Sequence, residues 1–169
     1  MSLAIFKNSK GVNDMNYKVT IVEQPARYLA GLFINANMND TQNKCPDLWG
    51  VFMPRMEELF SIAEEGSFGV CVNMEENGGF DYWTAMAVHK NAKNPSDFRC
   101  LEINGGKYAE CVVENLSKLA EAYQYMYGEW GNTQKDCHID FTAACYEFYK
   151  KDWQETDSVL LYVPVMVSN

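Results

Sequence analysis

The order extended segment, helix, strand, strand occurs twice in this chain, once over about residues 17–90 and again over about residues 99–168. Local wording repeats with it: RYLAGLFIN lies over KYAECVVEN, and VCVNME lies over ACYEFY. A repeat of this kind is one supersecondary unit used twice. A single unit, with one helix and about three strands, buries its sheet poorly. Two joined units predict an α+β fold. It is an antiparallel sheet backed by two helices, with a groove where the halves meet.

The elements follow from periodicity and punctuation. YKVTIVE reads as a strand broken by Pro25, and ARYLAGLFINAN as a second extended run. NMNDTQNKCPD is a polar loop with Pro46 at a first helical position. In LWGVFMPRMEELFSIA, residues Leu48, Phe52, Met56, Leu59, Phe60 and Ala63 recur at helical spacing. Pro54 would crowd the Gly50 carbonyl, which predicts a kink or a helix in two pieces. SFGVCVNME and FDYWTAMAVH are strands joined at Asn77-Gly78, a hairpin signal. After the polar linker KNAKNPSD, FRCLEINGGKYAECVVEN is extended with a turn at Asn104–Gly106. LSKLAEAYQYMYGEW is a helix whose stripe carries Leu116, Leu119, Ala120, Tyr123, Met126, Tyr127 and Trp130. GNTQKDCHI is a loop, and DFTAACYEFYKKD and SVLLYVPVMV are strands joined around Trp153.

Composition narrows the functions. The chain is 47% apolar and 14% aromatic, with 10 tyrosines. Such a supply serves either a tyrosine-rich core or the walls of a small-molecule pocket. Acidic residues number 23 against 14 basic ones, a formal charge of −9, which argues against nucleic-acid binding by this segment. The charge is compatible with cationic partners. Six cysteines and two histidines form no zinc-ligand spacing, so no metal or other cofactor is expected. The absence of a membrane-length apolar run or a signal-peptide core predicts a cytoplasmic protein with reduced thiols.

Along DFTAACYEFY, Phe141, Ala143, Cys145, Glu147 and Tyr149 share one strand face. A carboxylate among such neighbours is costly unless it is protonated, hydrogen-bonded or met by a cation. Glu147 is therefore either a structural acid held by a tyrosine hydroxyl or by water, or the anionic centre of a site for lipophilic cations. Tyr127, Trp130, Trp49, Tyr149 and one of the adjacent pair Tyr82 and Trp83 are the candidate pocket aromatics; core packing is the alternative for each. Glu129, off the apolar stripe, reads as solvated. No Ser/His/Asp or Cys/His arrangement is visible, so catalysis would fall to Glu147 as an acid or base.

The phrases PARYLAGL, KYAECVVEN, YMYGEW, YEFY and LYVPV, in this order and spacing, resemble the AraC effector-binding, or gyrase-inhibitor-like, small-molecule-binding domains over about residues 17–168. The resemblance implies a duplicated strand–helix–strand–strand fold with a ligand pocket between the halves. It implies amphipathic, often cationic ligands, with the acid of the E-x-Y position, Glu147, in the pocket. It also implies fusion to DNA-binding domains in many members, so that DNA contact belongs to a helix-turn-helix domain outside this chain. Some freestanding members resemble hydrolases of reactive small molecules. A hydrolase in the same cleft and a protein-inhibitor module are the alternative functions. AIFKNSKGV, near the start, resembles the last helix of an AraC-type DNA-binding domain. Residues 1–14 are thus expected to be the tail of a preceding domain, or else a leader to a freestanding protein, and residues 15–169 the effector-binding domain.

Overall fold

The computed structural model describes residues 17–95 and 97–168. The AIFKNSKGV segment, and with it the expectation for residues 1–14, lies outside the described residues. The first repeat contributes β1 (Val19–Gln24), β2 (Arg27–Asn37), α1 (Thr41–Phe52), a 3-10 stretch (Met53–Leu59), β3 (Ala63–Val72) and β4 (Gly79–Val88). The second contributes β5 (Arg99–Ile103), β6 (Gly106–Val113), α2 (Leu119–Tyr125), β7 (Cys137–Ile139), β8 (Cys145–Tyr149) and β9 (Val159–Val167). A 3-10 turn precedes α2, and a π turn over Met126–Trp130 extends it.

All described strand pairs are antiparallel, in the order β1-β6-β9-β8-β3-β4-β2-β5, with β7 on the far end of β9. The order reads the same from either end once each strand is exchanged for its repeat equivalent. The α+β architecture expected from the repeat is the one observed. The halves join where β3 pairs with β8. They are also interlocked at the outside. β1 belongs to the first repeat but pairs with β6 of the second, while β5 of the second pairs with β2 of the first. The short links Pro25-Ala26 and Asn104-Gly105 touch as they cross. A Cβ on Gly105 would stand 2.7 Å from the Ala26 amide nitrogen.

This crossing curls the sheet. On its inner face Leu29 and Ile103 from one end share a cluster with Tyr108 and Tyr162 from the other, around Phe68, Val70, Trp83 and Tyr146. Arg27 reaches across the curl, donating to the Tyr146 hydroxyl at 3.2 Å and lying over the Phe68 ring. The outer face carries the helices. α1 packs on β2 and β4 through Leu48 and Phe52. α2 packs on the second half through Ala122, and the π turn that follows it through Met126.

Several local expectations change. Pro54 does divide the first helix, α-helical before it and 3-10 around it. That helix begins seven residues before Leu48, at Thr41, and Pro46 lies inside it. There its ring removes the backbone bond from position 46 to the Gln42 carbonyl. GNTQKDCHI is not all loop: Cys137–Ile139 pairs with Val165–Val167. The strand expected from Asp140 begins only at Cys145, after a turn in which Asp140 accepts from the Thr142 amide and hydroxyl. Among the described residues, no helix is long and apolar enough to cross a membrane.

Candidate functional site

The two helices stand apart over the β3–β8 seam and leave a cleft of about 1970 Å³. Its floor is formed by Cys71 from β3 and by Cys145, Glu147 and Tyr149 from β8. Trp49 lines one wall from α1, and Tyr123 and Tyr127 line the other from α2 and its π turn. Met53, Met56, Phe60, Phe141 and Trp153 add apolar surface.

Glu147 sits at the centre, 4% exposed. Its place depends on register. Gly69 is its partner across the seam, and a Cβ there would overlap both the Glu147 carboxylate and the Tyr82 hydroxyl. Three tyrosines from three elements donate to the carboxylate. Tyr123 Oη lies 2.7 Å from Oε1, Tyr149 Oη 2.8 Å from Oε2, and Tyr82 Oη 3.3 Å from Oε2. Trp49 Nε1 donates to Tyr82 Oη at 2.9 Å, extending the chain of bonds to α1. Burial pushes the Glu147 carboxyl above the ordinary carboxylate range, and the three hydroxyl donors pull it part of the way back. Burial, followed by the nearby Glu147 charge, raises Tyr82, Tyr123 and Tyr149 well above the usual phenol range. These hydroxyls are therefore permanent donors. A carboxylate fed by three such donors and stripped of water is a preorganised negative centre.

The rings around it are arranged edge to face. Trp49 meets Tyr149 with centroids 5.2 Å apart at 70°, and Tyr149 meets Trp153 at 5.0 Å and 83°. Tyr123 and Tyr127 lie nearly parallel at 6.5 Å. Such walls offer π faces and edges to an organic cation beside the buried Glu147 carboxylate, while further charged side chains, Lys150 and Lys151 among them, also line the cleft.

The cleft brings together Glu147, Tyr149, Tyr127, Trp49 and Tyr82. It does not include Trp83 or Trp130. Trp83 points to the inner face of the sheet, where Phe33 stacks on it at 4.6 Å. Tyr82 is its neighbour on the opposite face, so the either-or of the pair resolves to Tyr82. Trp130 packs in the second-half core. The π turn holds one more residue than an α turn, and this rotates Trp130 off the Tyr123–Tyr127 stripe. Glu129 is exposed. Sequence reasoning placed Tyr123 only in a helical stripe, yet it makes the shortest bond to Glu147. Its signal was the i, i+4 spacing to Tyr127. Cys45, Cys71 and Trp153 also line the cleft unpredicted. Among the described residues, no group of three metal-ligating side chains could hold a metal ion.

Residues 20–165 match the family described as integron-associated effector binding protein. No curated protein matches the chain. Among solved structures, SAV2435 bound to tetraphenylphosphonium aligns with a TM-score of 0.69 at 16% identity, over 90% of this chain and 94% of that one. An integron cassette protein from Vibrio cholerae aligns at 0.64 and 15% identity, over 91% and 100%. The EcmrR C-terminal domain aligns at 0.61 and 15% identity, over 90% and 99%. At these identities the structural likenesses establish a shared fold.

Proposed function

Because the chain belongs to the integron-associated effector-binding family, we propose that it is the ligand-sensing domain of a transcription regulator and takes an aromatic or amphipathic monocation in the cleft. One observation carries the reading. A buried carboxylate, desolvated and held by three tyrosine donors, lines a large, mainly apolar cleft, and among the described residues no basic side chain is one of its hydrogen-bond partners. An organic cation brings the missing charge and needs little of its own solvation replaced. The tetraphenylphosphonium in SAV2435 is a ligand of this chemistry in a similarly folded protein. The EcmrR C-terminal domain shares the fold, and EcmrR has also been seen on DNA.

Ligand control of transcription requires two states with different affinities for the ligand. The cleft is walled by a helix from each repeat, so a guest that touches Trp49 and Tyr127 together biases the spacing of the halves. The resemblance of AIFKNSKGV to the end of an AraC-type DNA-binding domain supports the finer reading of a C-terminal effector domain. An in-frame helix-turn-helix segment upstream of residue 1 is the expected finding, and a start codon there without one overturns that part.

The charge reading is tested with two ions of one shape. Tetraphenylphosphonium and tetraphenylborate differ in the sign of their charge. Trp49 and Trp153 line the cleft, so indole fluorescence reports occupancy. The phosphonium is expected to saturate a single site, with the borate at least about tenfold weaker. Equal binding of the two, or none by either, overturns the proposal.

A further inference from the structure

Glu147 is not the only chemistry on the cleft floor. Cys71 and Cys145 are register partners across the β3–β8 seam, and both line the cleft. They are also equivalent positions of the two repeats, since VCVNME lies over ACYEFY. The local two-fold relation therefore passes between them. Directly opposed antiparallel residues have Cβ atoms about 4.5–5.5 Å apart. Both side chains line the cleft from this one register pair, which makes them close neighbours in space.

Burial raises the Cys71 thiol well above its usual range and pushes Cys145 up to about 12. Neither is a thiolate at neutral pH, so nucleophilic catalysis and easy oxidation are disfavoured. A zinc-type ion would need anionic thiolates and further ligands. What suits two neutral, facing thiols in an aromatic cleft is a soft centre that replaces both protons and leaves no charge behind.

We propose that Cys71 and Cys145 form a dithiol site for trivalent arylarsenicals, with the aryl ring seated among the aromatic walls. This rests on the cleft being a ligand site, but not on its preference for cations. The reacting species is the hydrated aryl arsenous acid. Two As–S bonds form and two As–O bonds break. Each thiol proton leaves on a departing hydroxide, giving two waters. Arsenic stays trivalent and nothing is oxidised or reduced. The product is uncharged, as a buried site requires.

Phenylarsine oxide is the probe, added to the reduced full chain. The folded complex and the free chain are treated in parallel with N-ethylmaleimide over time, and the modified peptides are mapped by mass spectrometry. One equivalent is expected to bind and to slow labelling at Cys71 and Cys145 alone, with the free-chain rates restored by ethanedithiol. Cys71→Ala and Cys145→Ala are each expected to bind more than about 100-fold more weakly, since the second bond to arsenic is lost. Cys100→Ala, at an exposed cysteine outside the cleft, is expected to bind as the parent does. Melting temperatures verify that the variants fold, and the peptide map needs no variant. Protection of any other cysteine pair, or unchanged binding by Cys71→Ala, overturns the proposal. Tetraphenylphosphonium titrated in parallel keeps the two readings apart. Loss of phosphonium binding with dithiol protection intact refutes only the cation reading, and the converse refutes only this one.

Discussion

Replacing Glu147 by Gln removes one charge and little volume, which makes it the sharpest perturbation of this cleft. A tetrahedral phosphonium with four rings cannot bring its centre into contact with the carboxylate. At a separation of about 6 Å and an effective dielectric of about 20, the Coulomb attraction is about 3 kcal/mol. That is on the order of 100-fold in affinity. The fold should survive, because the Gln carbonyl can still accept from Tyr123 and its amide can donate to a tyrosine oxygen. The pH dependence carries the sign. Burial raises the carboxyl in the folded protein, so Glu147 adds stability below its unfolded value and that contribution is lost as pH rises through the folded value. Cation affinity runs the other way: it grows with pH as the carboxyl ionises. Isothermal titration of both proteins with tetraphenylphosphonium, from about pH 5 to pH 8.5, measures this. The parent affinity should climb and then level off, while Glu147→Gln stays weak and flat. Thermal melts of the empty proteins should show the variant gaining on the parent as pH increases. Affinities within twofold of each other across the range would refute the reasoning.

Other perturbations separate floor, walls and core. Gly69→Ala forces a methyl group into the Glu147–Tyr82 contact and should cost about 1–3 kcal/mol by chemical denaturation, with weaker cation binding. Tyr123→Phe removes the shortest bond to Glu147, so its carboxyl rises further and the pH at which phosphonium affinity levels off should move upward. Trp83→Ala should lower stability by about 3–5 kcal/mol by opening the inner-face core, yet leave phosphonium affinity in the folded protein unchanged.

Local signals carried much of this fold. The doubled order of elements, the hairpin at Asn77-Gly78 and the break at Pro54 are each written in short stretches. So is the face shared by Cys145, Glu147 and Tyr149, because alternation along a strand is a strict rule. What stayed hidden depends on partners far away in the chain. The exchange of β1 and β5 between repeats leaves no mark on either strand's own pattern. Which of Tyr82 and Trp83 faces the cleft is fixed by register, and a one-residue shift reverses it. α-Helical periodicity makes Trp130 equivalent to Tyr127, but the segment winds as a π turn and separates them. Gly69 was silent because its reason for being glycine is a carboxylate 78 positions later.

The exchanged first strands bear on how such a protein assembles. Cut between Val88 and Arg99, each fragment keeps a strand whose hydrogen-bonding partner has gone with the other piece, and each loses the strand that capped its own border. Neither piece is a self-sufficient folding unit. The ladder from Val19 to Gln24 can zip only after Gly106–Cys111 has left the ribosome, so productive folding waits for the second half of translation. A gene encoding one repeat would yield an ordered product only as a homodimer trading leading strands. Fusing two such copies end to end reproduces the topology seen here.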